Sequence, residues 1–170
     1  MQKIVILSDT HGNQRFLRQV LQRETPYSHL FHLGDFYDDL ASNSDLTDGV
    51  EVVQVPGIYH AGYLDGSLPA VVHTQVAGWH FTLVHAIQDV KAVPRPCDII
   101  CFGHTHKCHF SQEDGYWLLN PGHLKELIHR NQTAAYCIIE VNDSEAVITF
   151  RGLDGQAMHQ HAIHKNREEA

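Results

Sequence analysis

The chain has 170 residues, 43% hydrophobic and 19% charged, which suits a single domain over residues 1–170 with one sizeable buried core. Its formal charge of −8 excludes a broad phosphate-tracking surface for long nucleic acid. Small anionic substrates stay open, because bound divalent cations reverse the sign locally.

The first apolar run, Ile4-Val5-Ile6-Leu7, is too short for a signal-peptide core or a bilayer span, so no membrane partner and a cytoplasmic location are expected. Residues 3–7 read instead as a buried strand that runs into Ser8-Asp9-Thr10-His11-Gly12. Asn13 is placed to cap a helix through about Glu24, with Phe16, Leu17, Val20 and Leu21 on one face and Pro26 beyond its end. Residues 28–33 predict a second strand ending at Gly34-Asp35, and residues 50–55 a third ending at Pro56-Gly57. After residue 70 the pattern turns to strand pairs: 70–77 with 79–84, then 99–102, 109–112, 116–119, 134–141 and 146–150. Gly78, Asp114-Gly115 and Asn142-Asp143-Ser144 supply the turns. The fold class predicted is α/β, with two mixed β-sheets packed face to face and helices outside. Residues 125–133 read as a short exposed helix or loop. Residues 154–170 are polar and expected to fray, which makes His159, His161 and His164 solvated rather than ligating. The cysteines at 97, 101, 108 and 137 form no CxxC pair and are expected as reduced thiols.

The chemistry lies in five separated islands, each where an apolar run ends: Asp9-Thr10-His11, Gly34-Asp35, His85, Gly103-His104-Thr105-His106 and Asn120-Pro121-Gly122. Mixed imidazole and carboxylate donors suit divalent transition metals, whereas Mg²⁺ and Ca²⁺ prefer oxygen alone. At a strand end, Asp9 and His11 in an i, i+2 relation would point the same way. Asp35 can offer one oxygen to each of two ions, with Gly34 allowing an unusual backbone angle, although Gly-Asp alone is also a plain turn. Two histidines one residue apart after an apolar strand are costly to bury unpaired, which makes Gly-His-Thr-His the most specific of these motifs. Asp38 and Asp39 read as carboxylates of a solvated helical turn. Tyr59, Tyr63, Trp79 and Trp117 can each stack a base, but both tryptophans lie in strand-like runs and are expected in the core.

In this order along residues 3–122, the islands resemble the calcineurin-like metallophosphoesterases. Gly-His-Thr-His followed by Asn-Pro-Gly is most similar to the small prokaryotic phosphodiesterase branch, to which the retromer metallophosphoesterase-fold subunit is related. The resemblance implies a four-layer αββα sandwich with a two-metal site at the strand ends. It assigns Asp9, His11, Asp35 and His106 to one metal, and Asp35, His85 and His104 to the other. One or two divalent transition metal ions per chain are implied, Mn first, with Fe, Zn or Ni as alternatives. A metal-activated water would attack phosphorus in a small phosphate-ester substrate, a diester rather than a monoester. A homo-oligomer is left open.

The resemblance breaks in one place. The family's third motif carries Gly-Asn, where this chain reads Gly57-Ile58-Tyr59-His60, and Ile58 has no donor atom. Tyr59 stands where the family places a general acid, able to protonate a leaving oxygen or to hydrogen-bond a phosphate. His60 can fill the vacant ligand position, act as the proton donor, or be an ordinary loop histidine. His123, just after Asn-Pro-Gly, can lean into the site and touch substrate. Ile58 also supports a rival expectation, a catalytically weak or inactive metal-binding scaffold acting through a protein partner.

Overall fold

The computed structural model describes residues 1–165. The chain opens with β1 (Gln2–Leu7), α1 (Gln14–Glu24), β2 (His29–His32), the single turn α2 (Ser44–Thr47) and β3 (Glu51–Gln54). The short α3 (Ala61–Leu64) leads to the hairpin β4 (Val71–Val76) and β5 (Trp79–Val84), followed by β6 (Ile99–Phe102), β7 (His109–Glu113) and β8 (Tyr116–Asn120). A small ribbon of β9 (Ile128–His129) and β10 (Gln132–Thr133) precedes β11 (Ala135–Val141), β12 (Glu145–Gly152) and β13 (Ala157–His164).

These strands form two mixed sheets, ordered β13-β12-β11-β1-β2-β3 and β4-β5-β6-β8-β7. The residue alternation of β1 shows why they pack as layers. Ile4 and Ile6 face the second sheet and join Phe31, Phe81, Leu83, Ile99, Leu119 and Ile139 between the sheets. Val5 and Leu7 point the other way, against Leu17, Val20 and Leu21 of α1. A strand buried on both faces needs an unbroken apolar run, which residues 4–7 provide. The helix begins as expected: the Asn13 side chain accepts from the Phe16 N–H at 3.1 Å.

The outer face of the second sheet departs from the expected helical layer. Val84, Ile100, Phe102 and Leu118 are covered by Ile87, Val90 and Val93 from a single 3₁₀ turn and an irregular segment. Pro94 and Pro96 in that segment remove N–H donors and bar helix continuation. Residues 125–133 hold the β9–β10 ribbon rather than a helix or an open loop. The polar tail is a further correction. Residues expected to fray form β13, paired antiparallel with β12 from Glu145↔His164 to Arg151↔Ala157. Its side chains are polar because it is an edge strand whose faces are largely solvated, with Ile163 alone of its residues buried. Residues 166–170 of the expected tail lie outside the described residues. No helix among the described residues is long and apolar enough to cross a membrane.

The parallel runs position the site. β1, β2 and β3 run parallel, as do β5, β6 and β8, so their carboxyl ends emerge along one edge of the sandwich. Loops from such ends form the crevice of open α/β sheets.

A polar knot pins α1 to the first sheet. Buried Glu24 accepts from the Tyr136 hydroxyl at 2.6 Å and lies 2.9 Å from Lys3 Nζ and 3.3 Å from Arg151. Burial raises its pKa, but the Tyr136 hydrogen bond and the two cations outweigh burial and hold it below the ordinary glutamate value. A depressed acid stabilises the fold above its unfolded pKa, and that stability is lost as pH falls through the folded value. Tyr136→Phe is therefore expected to cost about 1–3 kcal/mol at pH 7, by removing a buried donor from a charged acceptor. The cost should shrink in denaturant melts as pH falls through the depressed folded pKa of Glu24 and the carboxylate protonates.

Candidate metal centre

Ligand atoms of Asp9, His11, Asp35 and His106 lie within 4.8 Å of one another at the carboxyl-end edge. His106 Nε2 is 3.1 Å from Asp9 Oδ1 and 3.2 Å from His11 Nε2, and Asp35 Oδ2 is 3.5 Å from His11 Nε2. The other oxygen of Asp35 lies 3.4 Å from His85 Nε2. His104 completes this second side, its ring 5.2 Å from the His85 ring. All six expected ligands thus gather in one place, and Asp35 divides its oxygens between the two groups.

The local backbone explains how loops deliver these side chains. Asp9 and His11 do not use strand alternation: β1 stops at Leu7, and both residues sit at positive φ, 53° and 47°. Asp35, His104 and His106 do the same at 53°, 66° and 61°. Cross-strand hydrogen bonds hold these turns, Asp9 N–H to Gly34 O and His11 N–H to Asp35 O, both at 3.0 Å. The glycines serve close approach. A Cβ on Gly103 would lie 2.0 Å from Ser8 Oγ and 2.8 Å from Asp9 Oδ2, and one on Gly57 would lie 2.0 Å from Asp35 Oδ1. Asn120 fixes the Gly-His-Thr-His turn by donating to Gly103 O at 2.8 Å and Thr105 Oγ1 at 3.0 Å.

The electrostatics fit a cation. Buried Asp9 Oδ1 and His85 Nε2 have no hydrogen-bond partner among the described residues. Leaving such atoms unpaired is costly unless something else satisfies them. His85 Nδ1 lies 2.7 Å from Leu33 O, an acceptor only, so the ring proton sits on Nδ1 and the Nε2 lone pair faces Asp35. Burial raises the Asp9 pKa, but contact with His106, the charge of His85 and the Ser8 hydroxyl bring it below the usual value. Burial lowers that of His11, with Asp35 opposing, which favours the neutral ring that a metal needs. Carboxylate and imidazole donors in this arrangement suit a divalent transition metal.

The other expected site residues stand outside this group of four. Tyr59 is 82% exposed. His60 caps α3, its Nδ1 accepting from Gly62 N–H at 3.0 Å, with Nε2 3.6 Å from Asp38. Neither belongs to the four-ligand group. His123 does not face a substrate: it is fully buried behind His106, ring centroids 5.4 Å apart, with Nε2 3.0 Å from Gln132 O. The chain from Asn120 turns inward at Gly122, φ 96°, and carries His123 below the surface. Trp79 is in the core and Trp117 packs against it, as expected, while the Tyr63 hydroxyl is bonded to Asp89. All four cysteines are free thiols.

Asp39 was expected in a solvated turn, but it is buried, because the turn after Phe36 folds back over β2. Its carboxylate accepts from Thr10 Oγ1, between the ligands Asp9 and His11, and lies 3.0 Å from His32 Nε2. His32 Nδ1 in turn accepts from Gly34 N–H at 3.2 Å, just before the ligand Asp35. One buried carboxylate therefore braces both ligand loops. A histidine inside an apolar strand six residues before an acidic pair was its only trace in the sequence. Asp39→Ala is expected to destabilise by about 1–3 kcal/mol and to weaken metal binding roughly 10–100-fold. Exposed Asp38→Ala should do neither, as denaturant melts and metal titration would show.

A model of the calcineurin-like phosphoesterase superfamily domain matches residues 2–144. A probable metallophosphoesterase of Mycoplasma genitalium is 28% identical over 158 residues, which covers 85% of this chain and 91% of that protein. Among solved structures, a predicted phosphoesterase from Streptococcus pneumoniae matches with a TM-score of 0.73 at 22% identity, over 96% of this chain and 98% of that one. Vps29 of Chaetomium thermophilum matches at 0.74 with 15% identity, over 99% and 97%. At these identities the two structures speak for the fold alone. The family match spans most of the chain and takes in every expected ligand, so this chain belongs to the calcineurin-like phosphoesterase superfamily, and the Asp and His donors described above are where the divalent metal ions implied by that membership would bind.

Proposed function

We propose that this chain is a metal-dependent phosphoesterase that hydrolyses a phosphodiester of a small molecule or nucleotide. Asp9, His11, Asp35 and His106 would hold one divalent transition metal ion, Mn²⁺ first, and Asp35, His85 and His104 a second. The observation that carries this reading is the Asp35 carboxylate, with one oxygen toward His11 and the other toward His85. When bound, such ions lower the pKa of water and offset the charge that builds on phosphoryl oxygens.

The chain's own groups do the rest. Asp35 orients both halves of the site, and the Leu33 carbonyl keeps the His85 tautomer that presents a lone pair. His60 is better suited to hydrogen-bonding the substrate than to ligation. Its Nδ1 accepts from the Gly62 N–H, so the neutral ring carries its proton on Nε2 and can offer it as a hydrogen bond to a phosphoryl oxygen. Tyr59, exposed in the same loop, is the alternative donor or a phosphate contact.

A scaffold role through a protein partner is the second reading, favoured by Ile58, which offers no donor to the second ion. A Vps29 among the structural neighbours has the same fold. Hydrolysis of a chromogenic diester with Mn²⁺, against a chelated control, separates the two, and turnover of the diester faster than its monoester is expected. Asp9→Asn combined with His106→Ala should abolish both turnover and the metal-induced rise in melting temperature. Native metal stoichiometry in that variant would refute the ligand assignment.

The second ion should bind more weakly than the first, and Ile58→Asn should tighten it. His60→Ala should keep the metal stoichiometry and lower kcat by about 100-fold, the loss of one hydrogen-bond donor to the charge that develops on phosphoryl oxygen. Loss of a binding event in His60→Ala would make the residue a ligand instead.

A further inference from the structure

We infer that Phe36 is a stacking platform beside the metal centre, and that the substrates are phosphate esters carrying a planar aromatic group such as a nucleobase. This rests on the phosphoesterase reading and names its substrate class. Phe36 directly follows the ligand Asp35, and its ring is 55% exposed. Phe31, Phe81 and Phe150 are by contrast fully buried. The ring has a fixed place: a Cβ on Gly12 would lie 3.4 to 3.6 Å from three of its atoms, so the ring rests on the backbone next to His11. It thus stands between two ligand loops, packed on one side and open on the other.

The backbone makes an accidental phenylalanine there expensive. Phe36 has φ 115° and ψ 69°, a region that bulky side chains rarely enter, and no side-chain cap bond compensates it. Glycine or asparagine would fit that backbone with less strain. What phenylalanine adds is an exposed aromatic face next to Asp35 and against Gly12, the residue after His11. Tyr59, the most exposed aromatic side chain among the described residues, extends from a second loop whose Gly57 packs on Asp35. Aromatic faces bind bases with little regard to sequence, because every base presents a π-face. With the phosphate at Asp35 and His11, the attached ring would reach Phe36 first.

The test compares binding of adenosine monophosphate and ribose 5-phosphate to the Mn²⁺-loaded protein by calorimetry, since the two differ only in the base. The native protein should prefer adenosine monophosphate by at least about 5-fold. Phe36→Ala and Phe36→Leu should erase the preference and Phe36→Tyr keep it. Phe36→Leu retains apolar bulk over Gly12, so the comparison survives if the alanine variant folds poorly. Equal affinity of the native protein for both ligands overturns the inference, as does a preference that persists in Phe36→Leu. Base-dependent binding without hydrolysis of any ester would support the platform while refuting the phosphoesterase reading, and hydrolysis without base preference would do the reverse.

Discussion

The ligands of this site are held in a backbone conformation that their own side chains disfavour. Asp9, His11, Asp35, His104 and His106 all lie at positive φ, where non-glycine residues cost on the order of 1–3 kcal/mol each. Such turns persist only when their surroundings over-determine them. Here β1 ends in register with β2 and β5 with β6, and hydrogen bonds from Asp9 N–H to Gly34 O and from Gly103 N–H to His85 O fasten each loop to its neighbour. The site is in this sense a product of the two sheets.

Behind the ligands lies a layer of buried polar groups whose work is orientation. Leu33 O fixes the His85 proton, Ser8 Oγ donates to Asp9 Oδ2 at 2.6 Å, and Asp39 ties Thr10 to His32. Outer partners of this kind set tautomers and ring angles, and metal sites depend on them nearly as much as on the ligands. Buried His123, with its ring against His106, belongs to this layer. Close backbone approach at Gly57 and Gly103 belongs to it too, since any side chain there would occupy the space of an Asp9 or Asp35 oxygen.

In front of the ligands the cleft is bordered by short loops, with no inserted domain over it. Phe36 and Tyr59 are the exposed aromatic residues of these loops.

The sequence by itself determined the two packed sheets and pointed to the Asp and His residues that gather at their edge. Residues 4–7 had to be buried on both faces because they are uninterrupted apolar β-formers, and Asp, His and Gly at successive run ends had no cheaper structural use than a shared metal. Tertiary structure decided what local pattern cannot encode. β13 is a strand because β12 offers it an edge, although its own composition reads as solvated tail. Asp39 is buried because His32 and Thr10, 7 and 29 residues away, lie where its turn folds back. His123 lies beneath His106 rather than beside a substrate because Gly122 turns the chain inward. Each of these outcomes depends on a partner distant in sequence, so only the assembled sheets could settle it.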